Sequence, residues 1–210
     1  MALVKYNNNS ISAVTSAASI PSGAMTLIKT LTASSSSTLS FVHGSSDVVL
    51  DSTYPIYVFK FINMHPATDQ ASFQVNFRDG GSSYDATKTT TNFRAYHNEA
   101  GSDTSLGYFG DEDLAQSTAV QIIGRTVGND NDQSCTGEIF LFSPSSTTFV
   151  KHFLIRSSVT EHGNYYVDYH IAGYCNVTAA IDGVQFSFST GNIDSGTIKM
   201  YGVGDKQTWS

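Results

Sequence analysis

Charged residues are scarce in this chain: Asp, Glu, Lys and Arg make up 14% of its 210 residues, where an average soluble protein carries roughly a quarter. Ser, Thr, Asn and Gly stand in their place. A surface of hydroxyls and amides is buried against another protein at smaller desolvation cost than one of Lys and Glu, so the composition suits permanent assembly. Net charge is −7 and the 11 Lys and Arg are scattered, which leaves no basic stripe to neutralise phosphates and argues against nucleic acid as a partner. Long apolar runs are lacking too. No stretch approaches the roughly 18 consecutive apolar residues of a membrane span, so membrane insertion is not expected. The opening MALVKYNNNSISAVTSAAS has no continuous apolar centre of the kind a secretory signal needs. Synthesis in the cytoplasm of the producing cell is the corresponding expectation.

Cysteine is limited to Cys135 and Cys175, too few and too far apart for a disulfide framework or a zinc site; two buried thiols are expected, with a bridge between neighbouring strands as the alternative. The motifs of catalysis are missing as well. There is no Gly-x-Ser-x-Gly turn to present a serine nucleophile and no phosphate-cradling glycine loop ahead of a helix. The histidines, His43, His65, His97, His152, His162 and His170, never fall in a His-x-x-x-His spacing that would place two ligands on one helix face. Asp130-Asn131-Asp132 starts like a calcium loop, but Cys135 and Leu141 occupy the positions where its glycine and glutamate would stand. Carboxylates such as Asp111, Glu112 and Asp113 lie in loops, and no pair is singled out for acid–base work. The chain is therefore expected to have no catalytic residues, no cofactor, no metal site and no enzymatic activity.

What the sequence does contain is period-two alternation. The segments MTLIKTLT, TLSFV, YPIYVFKFINM and ASFQVNFR are followed, further along, by strand-like stretches at 119–127, 137–142, 148–156 and 165–174, with Ser, Gly, Asn and Pro between them. The closing VQFSFSTGNIDSGTIKMYGV alternates, breaks at a turn and alternates again, which reads as a hairpin. In the run 54–64, Ile56, Val58 and Ile62 fall on one face and Tyr57, Phe59 and Phe61 on the other, as in a central strand covered on both sides or seated at a subunit interface. About ten short strands at near-regular spacing predict an all-β domain over 25–210, a two-sheet antiparallel β-sandwich of jelly-roll-like topology. The sparse apolar residues of 1–24 predict an extended N-terminal arm, with Leu3, Val4, Tyr6, Ile11 and Val14 available for docking. The segment 87–118 breaks the rhythm and is expected to be a long functional loop. Its Tyr96, Tyr108 and Phe109, with Tyr165 and Tyr166 in a later strand, are candidate contacts for a glycan or a partner, because sugars stack on such rings.

Four segments carry a resemblance: MALVKY, AMTLIKTLTASSSSTLSF, SPSSTTFVKHF and above all SFSTGNIDSGTIKMYGV. In these the chain resembles small virion structural proteins of marine tailed bacteriophages, over nearly its whole length. The resemblance implies a virion location after synthesis in the host cytoplasm, without assigning a role within the particle. The expectation is a structural protein that oligomerises, as a homotrimer, and docks on other virion proteins of the capsid or tail, as a capsid decoration or a head or tail appendage. The alternative is a receptor-binding adhesin that mediates host attachment by recognising surface glycan.

Overall fold

The computed structural model describes residues 25–204; the arm at 1–24, with Leu3, Val4, Tyr6, Ile11 and Val14, lies outside the described residues. The described chain is all-β and antiparallel, as the alternation predicts. Its first six strands are β1 (Met25–Thr32), β2 (Leu39–Val42), β3 (Ile56–Pro66), β4 (Ala71–Arg78), β5 (Lys88–Asn98) and β6 (Thr104–Tyr108). The others are β7 (Gln121–Val127), β8 (Cys135–Phe142), β9 (Lys151–Glu161), β10 (Tyr165–Cys175), β11 (Gly183–Phe188) and β12 (Ile193–Val203). Burial follows the pleat: β9 turns Phe153, Ile155 and Val159 inward and His152, Leu154 and Arg156 outward, because successive side chains leave opposite faces of a strand.

The strands pair in two runs, β1-β12-β3-β8-β9-β10-β5-β6 and β7-β4-β11-β2. One bridge, Val127 to Glu161, joins them where the end of β9 runs past β8 and meets β7. The hydrogen-bonded sheet is therefore continuous and curls over itself into a nearly closed, barrel-like form, rather than separating into two distinct sheets. Aromatic side chains fill the curl. Phe59 and Phe61 of β3 meet Phe41 of β2, Phe73 of β4 and Phe186 of β11, with ring centroids 5.3 Å apart for Phe41–Phe59 and 5.4 Å for Phe61–Phe73. Spacings of this kind suit edge-to-face and offset rings.

Two stretches differ from their expected form. The closing segment is not a hairpin: β11 pairs with β2 and β4, whereas β12 pairs with β1 and β3. The turn between them, with Gly191 at φ 70°, carries the chain from one run to the other, fastened by Ser189 N–H to Ser72 O and Ala67 N–H to Asn192 O. In β12 the Asp-Ser-Gly triplet is a bulge around Gly196, whose φ of 124° is a conformation that side chains other than glycine rarely adopt. The segment 87–118, expected as a loop, contains β5 and β6, joined by a turn at 99–103, and becomes irregular after Tyr108. Its strand was hidden because β5 turns Lys88, Thr90, Asn92 and Arg94 inward, so that the usual apolar-in signal is missing.

Phe186 contacts four rings drawn from β2, β3 and β4. Phe186→Ala is expected to cost about 3–5 kcal/mol of unfolding free energy, read as a lower denaturant midpoint. Gly107→Ala, at a position open to solvent, is expected to leave the midpoint unchanged.

Candidate functional site

The longer run presents one broad outer face. Residues directly opposite in antiparallel strands share a face, and the register therefore lines up Leu27, Tyr201, Val58, Phe140, Leu154 and Ala172 across β1, β12, β3, β8, β9 and β10. Val58 is fully buried in this row although it points away from the core. Beside the row run Lys199, Lys60, Glu138, Arg156, His170, Phe93 and Tyr108. Lys60 pairs with Glu138 at 3.1 Å, Arg156 forks onto Asp168 at 3.2 and 3.0 Å, and Phe93 stacks on His170 with centroids 5.0 Å apart. Burial opposes the charge on Asp168, but hydrogen bonds from Arg156 and His170 hold its carboxyl below the usual range.

Large apolar side chains on this face are exposed: Leu27 by 52%, Leu154 by 49%, Phe93 by 46%, Tyr166 by 51% and Leu106 by 73%. Shallow grooves run between them. One of about 320 Å³ is lined by Phe93, Phe140, Leu154, Arg156, His170 and Ala172. Soluble monomers rarely carry an apolar surface this continuous.

The inner face of β9, β10 and β5 is polar where it extends beyond the aromatic core. The Arg94 guanidinium lies 3.7 Å from the centroid of Phe109, 3.2 Å from the Tyr169 hydroxyl and 3.7 Å from Glu161. Tyr169 donates to Glu161 at 2.7 Å. Glu112, in the irregular segment after β6, faces Arg125 at 3.5 Å and is fastened by Gln121, whose amide donates to its backbone carbonyl at 3.0 Å. Its Oε2 finds no hydrogen-bond partner among the described residues, nor does the amide of Asn92. Burial lifts the Glu161 carboxyl, with Tyr169 and Arg94 opposing, and pushes Glu112 up to about 7 against Arg125 and Arg94.

The five aromatic candidates fall on opposite faces. Tyr96 and Tyr165 meet on the inner side, 5.8 Å apart and edge to face, with both hydroxyls donating to Asp103, at 3.5 and 3.1 Å. With Arg94, Glu161 and Val167 they line a pocket of about 230 Å³. Phe109 packs under the guanidinium of Arg94 and lies 5.4 Å from that of Arg125. Tyr166 and Tyr108 belong to the outer face, the Tyr108 hydroxyl donating to Asp113. The outer face itself was missed in the sequence, where its members lie on separate strands and only the pairing register aligns them. Cys135 and Cys175 are both buried and free. His152 pairs with Tyr174 and His170 with Arg156, so these two histidines share a face without facing each other. Among the described residues no group of three His, Cys, Asp or Glu side chains is placed to hold a metal ion. No family model, curated protein or solved structure matches the chain.

Folded Glu112 keeps its proton up to about pH 7, whereas the unfolded chain releases it near 4.5. Its contribution to stability is thus complete below pH 4.5 and lost as pH rises to about 7. Glu112→Gln is expected to flatten this decline by as much as about 3 kcal/mol, an upper bound set by the size of the shift, measured by urea unfolding at several pH values. A small slope from Glu161 should persist.

Proposed function

We propose that the protein is a non-enzymatic structural component of a tailed-bacteriophage virion, a capsid decoration or a head or tail appendage, that assembles with copies of itself as a homotrimer and docks on other capsid or tail proteins. The observation that carries this reading is the outer face. Eight strands spaced about 4.8 Å apart, with outward residues on a repeat of about 6.7 Å, give a surface of order 1,000 Å². That is what one side of a standard protein–protein interface occupies, about 800 Å². Two of its cations, Lys60 and Arg156, are already paired with Glu138 and Asp168, which a second copy can cover without leaving those ions uncompensated, while Lys199 opposite Lys60 is left for an acidic group of the partner. The resemblance to phage virion proteins supplies the setting.

The strand order supports a jelly-roll reading of the curled sheet. With the β5–β6 and β9–β10 hairpins taken as insertions, the remaining strands run β1-β12-β3-β8 and β2-β11-β4-β7, the order produced by two Greek keys wrapped together. The insertions then widen one layer, and with it the docking face.

Light scattering after size exclusion tests the assembly. The wild type is expected at the mass of three chains, and Leu27→Asp with Leu154→Asp at the mass of one, with unchanged circular dichroism. A wild type that stays monomeric at high concentration and ignores purified particles sinks the reading.

A second reading, a receptor-binding adhesin for host surface glycan, is favoured by one observation, the Tyr96–Tyr165 pair held around Asp103. It predicts glycan-array binding that Tyr165→Ala and Asp103→Ala each reduce at least about tenfold, since one lost contact of about 1.4 kcal/mol has that effect.

A further inference from the structure

Two fully buried lysines stand where β5 and β9 begin. Lys88 of β5 and Lys151 of β9 lie directly opposite Cys175 of β10, one on each side, and all three side chains are without exposure. Lys88 Nζ donates to Asn76 Oδ1 at 2.6 Å and to Ala86 O at 2.8 Å, and Lys151 Nζ donates to Val177 O at 2.9 Å. Neither lysine forms an ion pair with a carboxylate among the described residues. A buried ammonium in that position is strongly disfavoured. Burial accordingly draws Lys88 down to about 8, although Cys175, Asp85 and Asp79 favour its charged form. The Cys175 thiol is pushed up to about 12 by its own burial, opposed by Lys88 and Lys151, and stays neutral.

The partner of Lys88 is arranged as an electrophile. Asn76 is 7% exposed. Its Oδ1 accepts the Phe77 backbone N–H at 3.0 Å as well as Lys88, which polarises the carbonyl, while its Nδ2 donates to Thr118 O at 3.3 Å. Adding a C=O bond of about 1.2 Å to the 2.6 Å contact puts Nζ no more than about 3.8 Å from Cγ. Reacting atoms in a near-attack arrangement stand about 3–3.5 Å apart, so a shift of a few tenths of an ångström suffices.

We infer that Lys88 and Asn76 condense into an intramolecular isopeptide bond. The Nζ lone pair attacks Cγ, and the developing oxyanion is met by the Phe77 N–H. The Nζ–Cγ amide bond forms as the Cγ–Nδ2 bond breaks, and the proton lost by Nζ leaves on Nδ2 as ammonia. No oxidant or other co-reactant is needed. The product is a neutral amide that can no longer take up a buried charge, and the dry surroundings keep water from hydrolysing it.

The test uses the intact wild-type chain, denatured and weighed by mass spectrometry. The expected mass is lower than that of the sequence by one ammonia. Trypsin should then yield residues 79–94 uncut after Lys88 and still joined to residues 61–78, although Arg78 has been cleaved. Lys88→Arg should have its full sequence mass and release 61–78 freely. The inference is overturned if the wild type keeps its full mass after incubation at about pH 9, where Lys88 is mostly neutral. It is equally overturned if the lost ammonia maps to an unjoined asparagine peptide, the mark of succinimide formation.

Discussion

The structure depends on the contact of Phe59 and Phe61 with Phe41, Phe73 and Phe186. Strand pairing alone cannot hold the curl, since among the described strands the ladders of the two runs meet only at the Val127–Glu161 bridge, with scattered hydrogen bonds such as Thr90 to Gln121 and His162 N–H to Thr126 O beside it. Burial of aromatic surface closes it, at about 1.5–3 kcal/mol for each such side chain. This explains why β3 carries large apolar residues on both of its faces. One face of β3 supplies the ring layer, and the other passes through the middle of the outer row, where Val58 is buried with no core behind it.

In β5 the ordinary distribution of polarity is reversed: its inner face bears Lys88, Asn92 and Arg94 while Phe93 points outward, whereas β9 and β10 keep Phe153, Ile155, Val159, Val167 and Ile171 inward and add Leu154 and Tyr166 outside. A sheet that evolved to face water on its outer side shows the opposite alternation. The inner groups are held by one another and by the segment after β6, through Phe109 on Arg94 and Gln121 on Glu112. Covering the outer face with protein would give β5 an apolar contact layer that its inner side does not provide.

The legible part of the fold was the part obeying simple alternation. In β4 the row Phe73, Val75 and Phe77 marks the inward face, and the all-β class follows from such alternation, whereas β3 is apolar on both faces and its inward side is not told by sequence. Pairing was not legible. A break at Thr190–Asn192 looks the same whether the chain folds back as a hairpin or crosses to the other run, because local turn chemistry is common to both. Polar inward residues concealed β5, and the broad outer face has no sequence signature, since its six aligned residues come from strands as distant as β1 and β10. Of the aromatic candidates, Tyr96 and Tyr165 come together through the register of β5 with β10; Tyr108 and Tyr166 are separated from them by the thickness of the sheet.

The insertions also raise a mechanical question. β5 pairs with β10 and β6 and with no strand of the shorter run, so the widened layer is tied to the core chiefly through β9. Force applied to an outer face occupied by a partner would therefore pull on hydrogen bonds at one edge. The root of β5 is where a second tie is found: Ala86 N–H to Phe77 O at 3.1 Å, and Lys88 to Asn76, both reaching β4. Lys88 thus fastens the insertion to the strand that carries Phe73 and Phe77 into the core. A buried lysine placed there joins the two parts of the molecule that the sheet itself leaves nearly unconnected.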